Sequence, residues 1–198
     1  LANASNGGSG KSLLVNTLGN LMNLCELDGR TFKKGKDDMA AFAPVTPATE
    51  IVHIDDAAKG FPPEILFTRT TGNFHIRRVY KSPFSIDKTK APKIVVTSNF
   101  PLENNGNSYT RREFIVEVSN FYRLKSEFCQ ETPYHLHGYK DFGTDWDETD
   151  WSAFYQYVFS CIGKYIAAGE LPAGDVESSA YKRARLIDLV GSSELLDY

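Results

Sequence analysis

The sequence predicts an α/β fold built on a mostly parallel sheet, and two observations carry that reading. A glycine-rich stretch, SNGGSGKSLL (Ser5–Leu14), runs straight into a segment with helical apolar spacing, as a loop that cradles phosphate opens a helix. Three short apolar runs follow, EIVHIDD, KIVVTSN and REFIVEV. Separated by helical or loop segments, such runs read as buried strands of a parallel sheet.

Taken in order, KSLLVNTLGNLMNLCEL has apolar residues at Leu13, Leu14, Leu18, Leu21, Met22 and Cys25, which predicts one helix. The three apolar runs are the expected strands. TDWSAFYQYVFSCIGKYIAA, Thr149 to Ala168, predicts a helix with an aromatic face, capped by Asp150 or Thr149. SSAYKRARLIDLV predicts a last helix, set off by Gly169, Pro172 and Gly174. The expected organisation is a core over 1–125 and a C-terminal loop and helical extension over 126–198, packed on the core.

The chain has 198 residues, 41% hydrophobic and 24% charged, which suits one globular domain with a real core. No apolar run approaches the ~20 residues of a membrane helix, and no signal-peptide pattern is present. A cytoplasmic location or a host-cell replication compartment is expected, and no membrane. The first residue is Leu1, so the chain is expected to be a piece of something longer. Cys25, Cys129 and Cys161 lack paired spacing and point to a reducing compartment.

Chemistry concentrates at four places. Gly7, Gly8 and Gly10 let the backbone aim N–H groups at an anion, with Asn6, Ser9 and Leu13 around it. Lys11 would reach the outer phosphates and Ser12 would hold Mg²⁺. Ser5 stands where the pattern G-x-x-x-x-G-K-[ST] has its first glycine, a position that mainly needs a small residue. A glycine-rich turn capping a helix is the plain alternative.

IVHIDD puts Asp55 and Asp56 at a strand end, where α/β proteins bind ligands. Asp55 would join the Mg²⁺ shell and Asp56 could polarise an attacking water. KIVVTSN ends on Asn99, an amide able to orient water or sense a γ-phosphate. In YTRREFIVEV, Arg111 and Arg112 begin a run, and a cation there could reach a neighbouring subunit's phosphate. The plain alternatives are an N-capping Asp, a turn Asn and surface charge.

The net charge of −3 argues against a generic nucleic-acid binder. Between Arg69 and Lys93, however, seven basic residues face Asp87 alone, a local charge of +6. A basic segment on an acidic body is an electrostatic footprint; a solvated loop is the alternative.

Together these residues resemble the superfamily 3 helicases of small DNA viruses, phages and plasmids, a compact branch of the AAA+ ATPases. The steps are short: 44 positions from Lys11 to Asp55, 43 from Asp56 to Asn99, 13 from Asn99 to Arg112. KIVVTSN is similar to the family's sensor motif, and HIRRVYKSPFSIDKTKAPKIVVTSN to the block joining its DNA-binding hairpin to that sensor. The resemblance runs from about Ser5 to Val118.

It implies a P-loop NTPase fold of AAA+ type with a central five-stranded parallel sheet, and a ring, usually a hexamer, with ATP and Mg²⁺ between subunits. Arg112 would then act as an arginine finger. It also implies a hairpin near 74–90, its tip near Arg78 to Lys81, contacting single-stranded DNA through Arg77, Arg78, Tyr80 and Lys81. The implied protein is a helicase domain of a replication initiator or primase-helicase, with a primase or nuclease domain expected upstream. A DNA-bound ATPase switch and an inactive assembly module are the other readings.

Cys129, His135 and His137 lie near one another but lack the paired spacing of a zinc site. The aromatic set Trp151, Phe154, Tyr155, Tyr157, Val158 and Phe159 reads as packing rather than a base-stacking platform. DFGTDWDETD reads as a solvated loop.

Overall fold

The structure is a computed structural model. It describes residues 9–32, 40–102, 112–119, 121–122 and 132–170. The predicted helix over SSAYKRARLIDLV lies outside them, as do Asn6, Gly7, Gly8, Arg111 and Cys129. The chain divides into two compact units, with one boundary between Val118 and Ser119.

In the first unit, helix α1 spans Lys11–Thr17. Strand β1 is Leu24–Asp28 and β2 is Ile51–Ala57. Helix α2 is Phe67–Thr71. Strands β3, Phe74–Arg78, and β4, Lys81–Ile86, precede β5, Lys93–Ser98. β1, β2 and β5 form a parallel sheet in the order β1-β2-β5, and β3 pairs with β4 antiparallel. The chain is therefore mixed α/β; five parallel strands were expected, and the described residues form three.

The single helix expected over 11–27 is instead a short helix, a 3-10 turn at Leu18–Asn20 and a strand. Gly19 and Asn20 are poor helix formers, and Asn23 anchors to Glu50: its N–H donates to Oε2 at 2.9 Å and its carbonyl accepts from Glu50 N–H at 2.9 Å. That junction starts β1 in register with β2, Leu24 opposite Ile51, and buries Leu27.

REFIVEV is not a strand either. Ile115 is buried, but a lone β-bridge at Glu117 is the only pairing in Arg112–Ser119. Glu113–Val116 and Ile94–Val96 of β5 line one apolar cavity of about 360 Å³, and no ladder joins the two segments among the described residues.

The core is a cluster around Phe32, Phe42, Phe61, Phe74, Ile54 and Ile76. Phe42 packs edge-on against Phe32 and Phe74 at 5.4 and 5.5 Å between centroids, a favoured aromatic geometry. Arg69, counted in the basic segment, is buried: its guanidinium lies 4.1 Å from the Phe42 ring centroid and donates to the Ile65 carbonyl at 2.8 Å. Because Phe74, Ile76 and Ile86 belong to the core, the base of the β3–β4 hairpin is fixed while its tip is exposed.

In the second unit, helix α3 is Pro133–Leu136 and α4 is Glu148–Ala168. The cap of α4 is Asp147, two residues before the expected Thr149 and three before Asp150: its side chain accepts from the N–H groups of Thr149 and Asp150, at 2.8 and 3.1 Å, and Asp150 completes a capping box. DFGTDWDETD is thus partly a helix start, and Lys140 pairs with both Asp147 and Asp150. Trp151, Phe154 and Tyr155 pack against one another and with Trp146 and Phe142, but Tyr157 and Phe159 are exposed, so packing accounts for three of the five aromatic residues in that set. His135 serves in the Thr132 capping box, and His137 Nε2 bonds the Tyr122 hydroxyl at 2.7 Å. Among the described residues, no helix is long and apolar enough to cross a membrane.

Candidate functional site

Gly10 begins α1 with φ of 83°, a left-handed conformation open to glycine at no cost. It turns the chain so that Lys11 and Ser12 project into a cleft of about 400 Å³, lined also by Ser9, Asp55, Asp56 and Asn99. Lys11 is 7% exposed. Its ammonium donates to Asn99 Oδ1 at 2.7 Å and to Ser9 Oγ at 3.2 Å. Burial pushes the Lys11 pKa down, against the pull of Asp56 and Asp55.

The two acids face the same cleft for a specific backbone reason. Alternation along a strand would send adjacent side chains to opposite faces. Here Ile54 pairs with Val96 and Ala57 with Ser98, so Asp55 and Asp56 together sit opposite Thr97. This is a β-bulge, which re-aims a side chain. Asp56 takes φ of 51° within it. Gly29 lies against the same spot: a Cβ there would come within 2.5 Å of the Asp55 carbonyl oxygen and 2.7 Å of Ala57.

Asp55 Oδ1 accepts from Ser12 Oγ at 2.6 Å and from Thr97 Oγ1 at 2.7 Å. Burial works to raise the Asp55 pKa, but these two hydrogen bonds, with His53 and the Asp56 amide, outweigh it and hold the carboxyl below the usual range. Asp56 Oδ1 accepts from Asn99 Nδ2 at 3.3 Å. Asn99 therefore bridges the Lys11 cation and the Asp56 carboxylate.

Behind Asp55 sits His53, fully buried. Its Nε2 lies 3.2 Å from Thr97 Oγ1, and its Nδ1 lies 3.5 Å from Glu26 Oε2. Burial lowers its pKa, against the pull of Asp55 and Glu26. His53, Thr97 and Gly29 were not singled out in the sequence. The available signals were a histidine inside an apolar run and a hydroxyl two positions before Asn99.

A metal ion would meet oxygen donors here, Ser12 Oγ and the Asp55 and Asp56 carboxylates, which suit Mg²⁺. Among the described residues no group of three or more His, Cys, Asp or Glu side chains could hold a metal by itself. Mg²⁺ commonly takes one or two carboxylates and completes its shell with phosphates and water, so this donor set fits.

The remaining candidates lie elsewhere. Leu13 is on the cleft rim and exposed. Arg112 is not among the cleft residues; its guanidinium lies 5.0 Å from the Phe67 ring centroid, beside the apolar cavity. At the hairpin, Val79 and Tyr80 form the tip between paired Arg78 and Lys81. Tyr80 is fully exposed with φ of 58°, and Arg77 and Lys81 are exposed. Arg78 differs. It donates to the carbonyls of Ala43 and Val45 at 3.1 and 2.9 Å and stacks on Phe84 at 4.7 Å.

No protein-family model matches the chain, and no curated protein sequence matches it.

Proposed function

We propose that the cleft binds ATP with Mg²⁺ and hydrolyses it, and that the chain is the ATPase domain of a DNA helicase of superfamily 3 type. One observation carries the nucleotide reading: residues spread over 88 positions, Lys11 to Asn99, meet in one cleft with the polarity a nucleoside triphosphate requires. A cation and a small hydroxyl sit at the start of a helix, and two carboxylates and an amide sit at strand ends.

In this reading Lys11 exchanges its bonds to Asn99 and Ser9 for phosphate oxygens. Ser12 and Asp55 would hold Mg²⁺, which when bound supplies charge neutralisation on the phosphates. Asp56 accepts a proton from a water that the Asn99 amide orients, a pairing already set by their 3.3 Å contact. Arg112 would serve a neighbouring subunit of a ring, and the parallel sheet would be the described part of a five-stranded AAA+ sheet. The exposed hairpin tip, with Arg77, Tyr80 and Lys81, would grip single-stranded DNA by backbone charge and stacking.

The experiment is ATP hydrolysis measured with and without single-stranded DNA. Hydrolysis stimulated by DNA and lost in Lys11→Ala is the expected result. No hydrolysis by any form of the protein that contains this chain would remove the enzyme reading. Hydrolysis indifferent to DNA would leave an ATPase switch.

A further inference from the structure

We infer that Thr97 is a positioning residue of the proposed nucleotide site: its buried hydroxyl holds the bulge that turns both Asp55 and Asp56 into the cleft, and thereby sets the site's Mg²⁺ affinity. The inference rests on the ATP reading above and goes further by assigning the geometry of the two carboxylates to one side chain outside the phosphate loop.

Thr97 is 1% exposed, and its hydroxyl has three partners. Asp55 Oδ1 is 2.7 Å away, the Asp56 backbone N–H donates to Thr97 Oγ1 at 3.2 Å, and His53 Nε2 is at 3.2 Å. A hydroxyl has one hydrogen and two lone pairs. An ionised carboxylate only accepts, so the hydrogen goes to Asp55. The Asp56 amide takes one lone pair, and His53 Nε2, which is also 3.4 Å from Asp55 Oδ1, lies within reach of the other. This hydroxyl is thus committed to both acids, to the side chain of Asp55 and the backbone of Asp56.

The position explains why it matters. Thr97 is the single residue opposite Asp55 and Asp56 in the bulge, so it bonds the side chain of one acid and the backbone of the other. Without it, the Asp56 amide loses its acceptor at the residue carrying φ of 51°, and nothing on β5 holds Asp55 toward Ser12. Partners that orient metal-binding carboxylates typically change metal affinity 10–100-fold when removed, a range set by other metal sites.

The test is binding of the fluorescent analogue MANT-ATP to the chain, in EDTA and across a Mg²⁺ titration, for wild type, Thr97→Val and Thr97→Ser. Val keeps the shape and removes the hydroxyl; Ser keeps the hydroxyl. The expected result is that Thr97→Val leaves binding in EDTA unchanged and raises the Mg²⁺ midpoint about tenfold or more, while Thr97→Ser stays near wild type. An unchanged midpoint in Thr97→Val overturns the inference, as does equal weakening with and without Mg²⁺, which marks a general structural loss. If Thr97→Val does not fold, Thr97→Ala gives the same readout. If neither folds while Thr97→Ser does, the hydroxyl serves stability and the inference is overturned. Wild type that fails to bind MANT-ATP under either condition overturns the ATP reading itself, a result distinguishable from all of these.

Discussion

The Lys11 ammonium donates a 2.7 Å hydrogen bond to Asn99 Oδ1, joining the start of α1 to the end of β5. The same amide donates from Nδ2 to Asp56, so its orientation is fixed from both ends. Lys11 is the cation among the residues lining the described cleft, where its interactions with anions are less screened than in water. Lys11→Ala should lower ATP turnover by at least about 10²-fold, as loss of one preorganised charge-stabilising group does. It should also weaken nucleotide binding; phosphate-release kinetics and nucleotide titration measure the two effects. Turnover at the wild-type rate would sink the phosphate-loop assignment.

The bulge places Asp55 and Asp56 in one cleft but gives them different partners. Asp55 is tied to Ser12 and Thr97, Asp56 to Asn99. Asp55→Asn should weaken the Mg²⁺-dependent part of nucleotide binding. Asp56→Asn should leave binding intact and cut single-turnover hydrolysis by about 10²–10⁴-fold, the range for a lost general base. Identical defects in the two variants would end the division of labour.

Gly29, just after β1, tests whether the bulge depends on close approach of the chain there. A Cβ would meet the backbone of Asp55 and Ala57 at 2.5 and 2.7 Å, and backbone cannot rotate away as a side chain can. Gly29→Ala should destabilise the chain by about 1–3 kcal/mol, the usual cost of overpacking. Denaturant unfolding would show it as a lower midpoint. An unchanged midpoint would mean that the turn after β1 moves away from β2 without penalty.

His53 supplies a pH dependence of stability. Its folded pKa is depressed by burial below the ordinary 6.5, so the unfolded chain binds the proton more readily. Stability from this group is present above pH 6.5 and is lost as pH falls toward the folded pKa. The slope is at most about 1.4 kcal/mol per pH unit for one proton. Thermal melts of wild type and His53→Gln between neutral and mildly acid pH should diverge in slope. Parallel curves would show that His53 does not titrate differently on folding.

Much of the cleft was legible because Lys11, Ser12, Asp55, Asp56 and Asn99 each stand at an element end that the apolar pattern marks. The bulge was not, since strict alternation places Asp55 and Asp56 on opposite faces and only pairing with Thr97 changes that. β1 was hidden because Leu21, Met22 and Cys25 continue the helical spacing of α1, while the break depends on a distant partner, Glu50. REFIVEV shows the converse: an apolar run is no strand without a neighbour to pair with. A charge count likewise cannot separate cations in water from Arg69 and Arg78, whose guanidiniums stack on Phe42 and Phe84.

That last distinction divides the hairpin residues into two kinds, and mutation should separate them. Arg78 ties the hairpin to the loop carbonyls of Ala43 and Val45, so Arg78→Ala should lower stability by about 1–3 kcal/mol, the cost of leaving partly buried acceptors without a charged donor. Lys81 is exposed next to the fully exposed Tyr80, so Lys81→Ala should leave the melting temperature unchanged. If the tip grips a single strand, Lys81→Ala should reduce the log–log salt slope of binding by about 0.7, one phosphate contact. Tyr80→Ala should weaken binding by about 1–3 kcal/mol with no change in that slope, because stacking carries no counterion release. Fluorescence anisotropy with a labelled oligonucleotide, at several salt concentrations, reads both quantities on a form of the protein that binds DNA. A Lys81→Ala slope equal to wild type, with Tyr80→Ala binding unchanged, would mean that the tip makes no contact with the strand, and the basic segment would then be a solvated surface around two structural arginines.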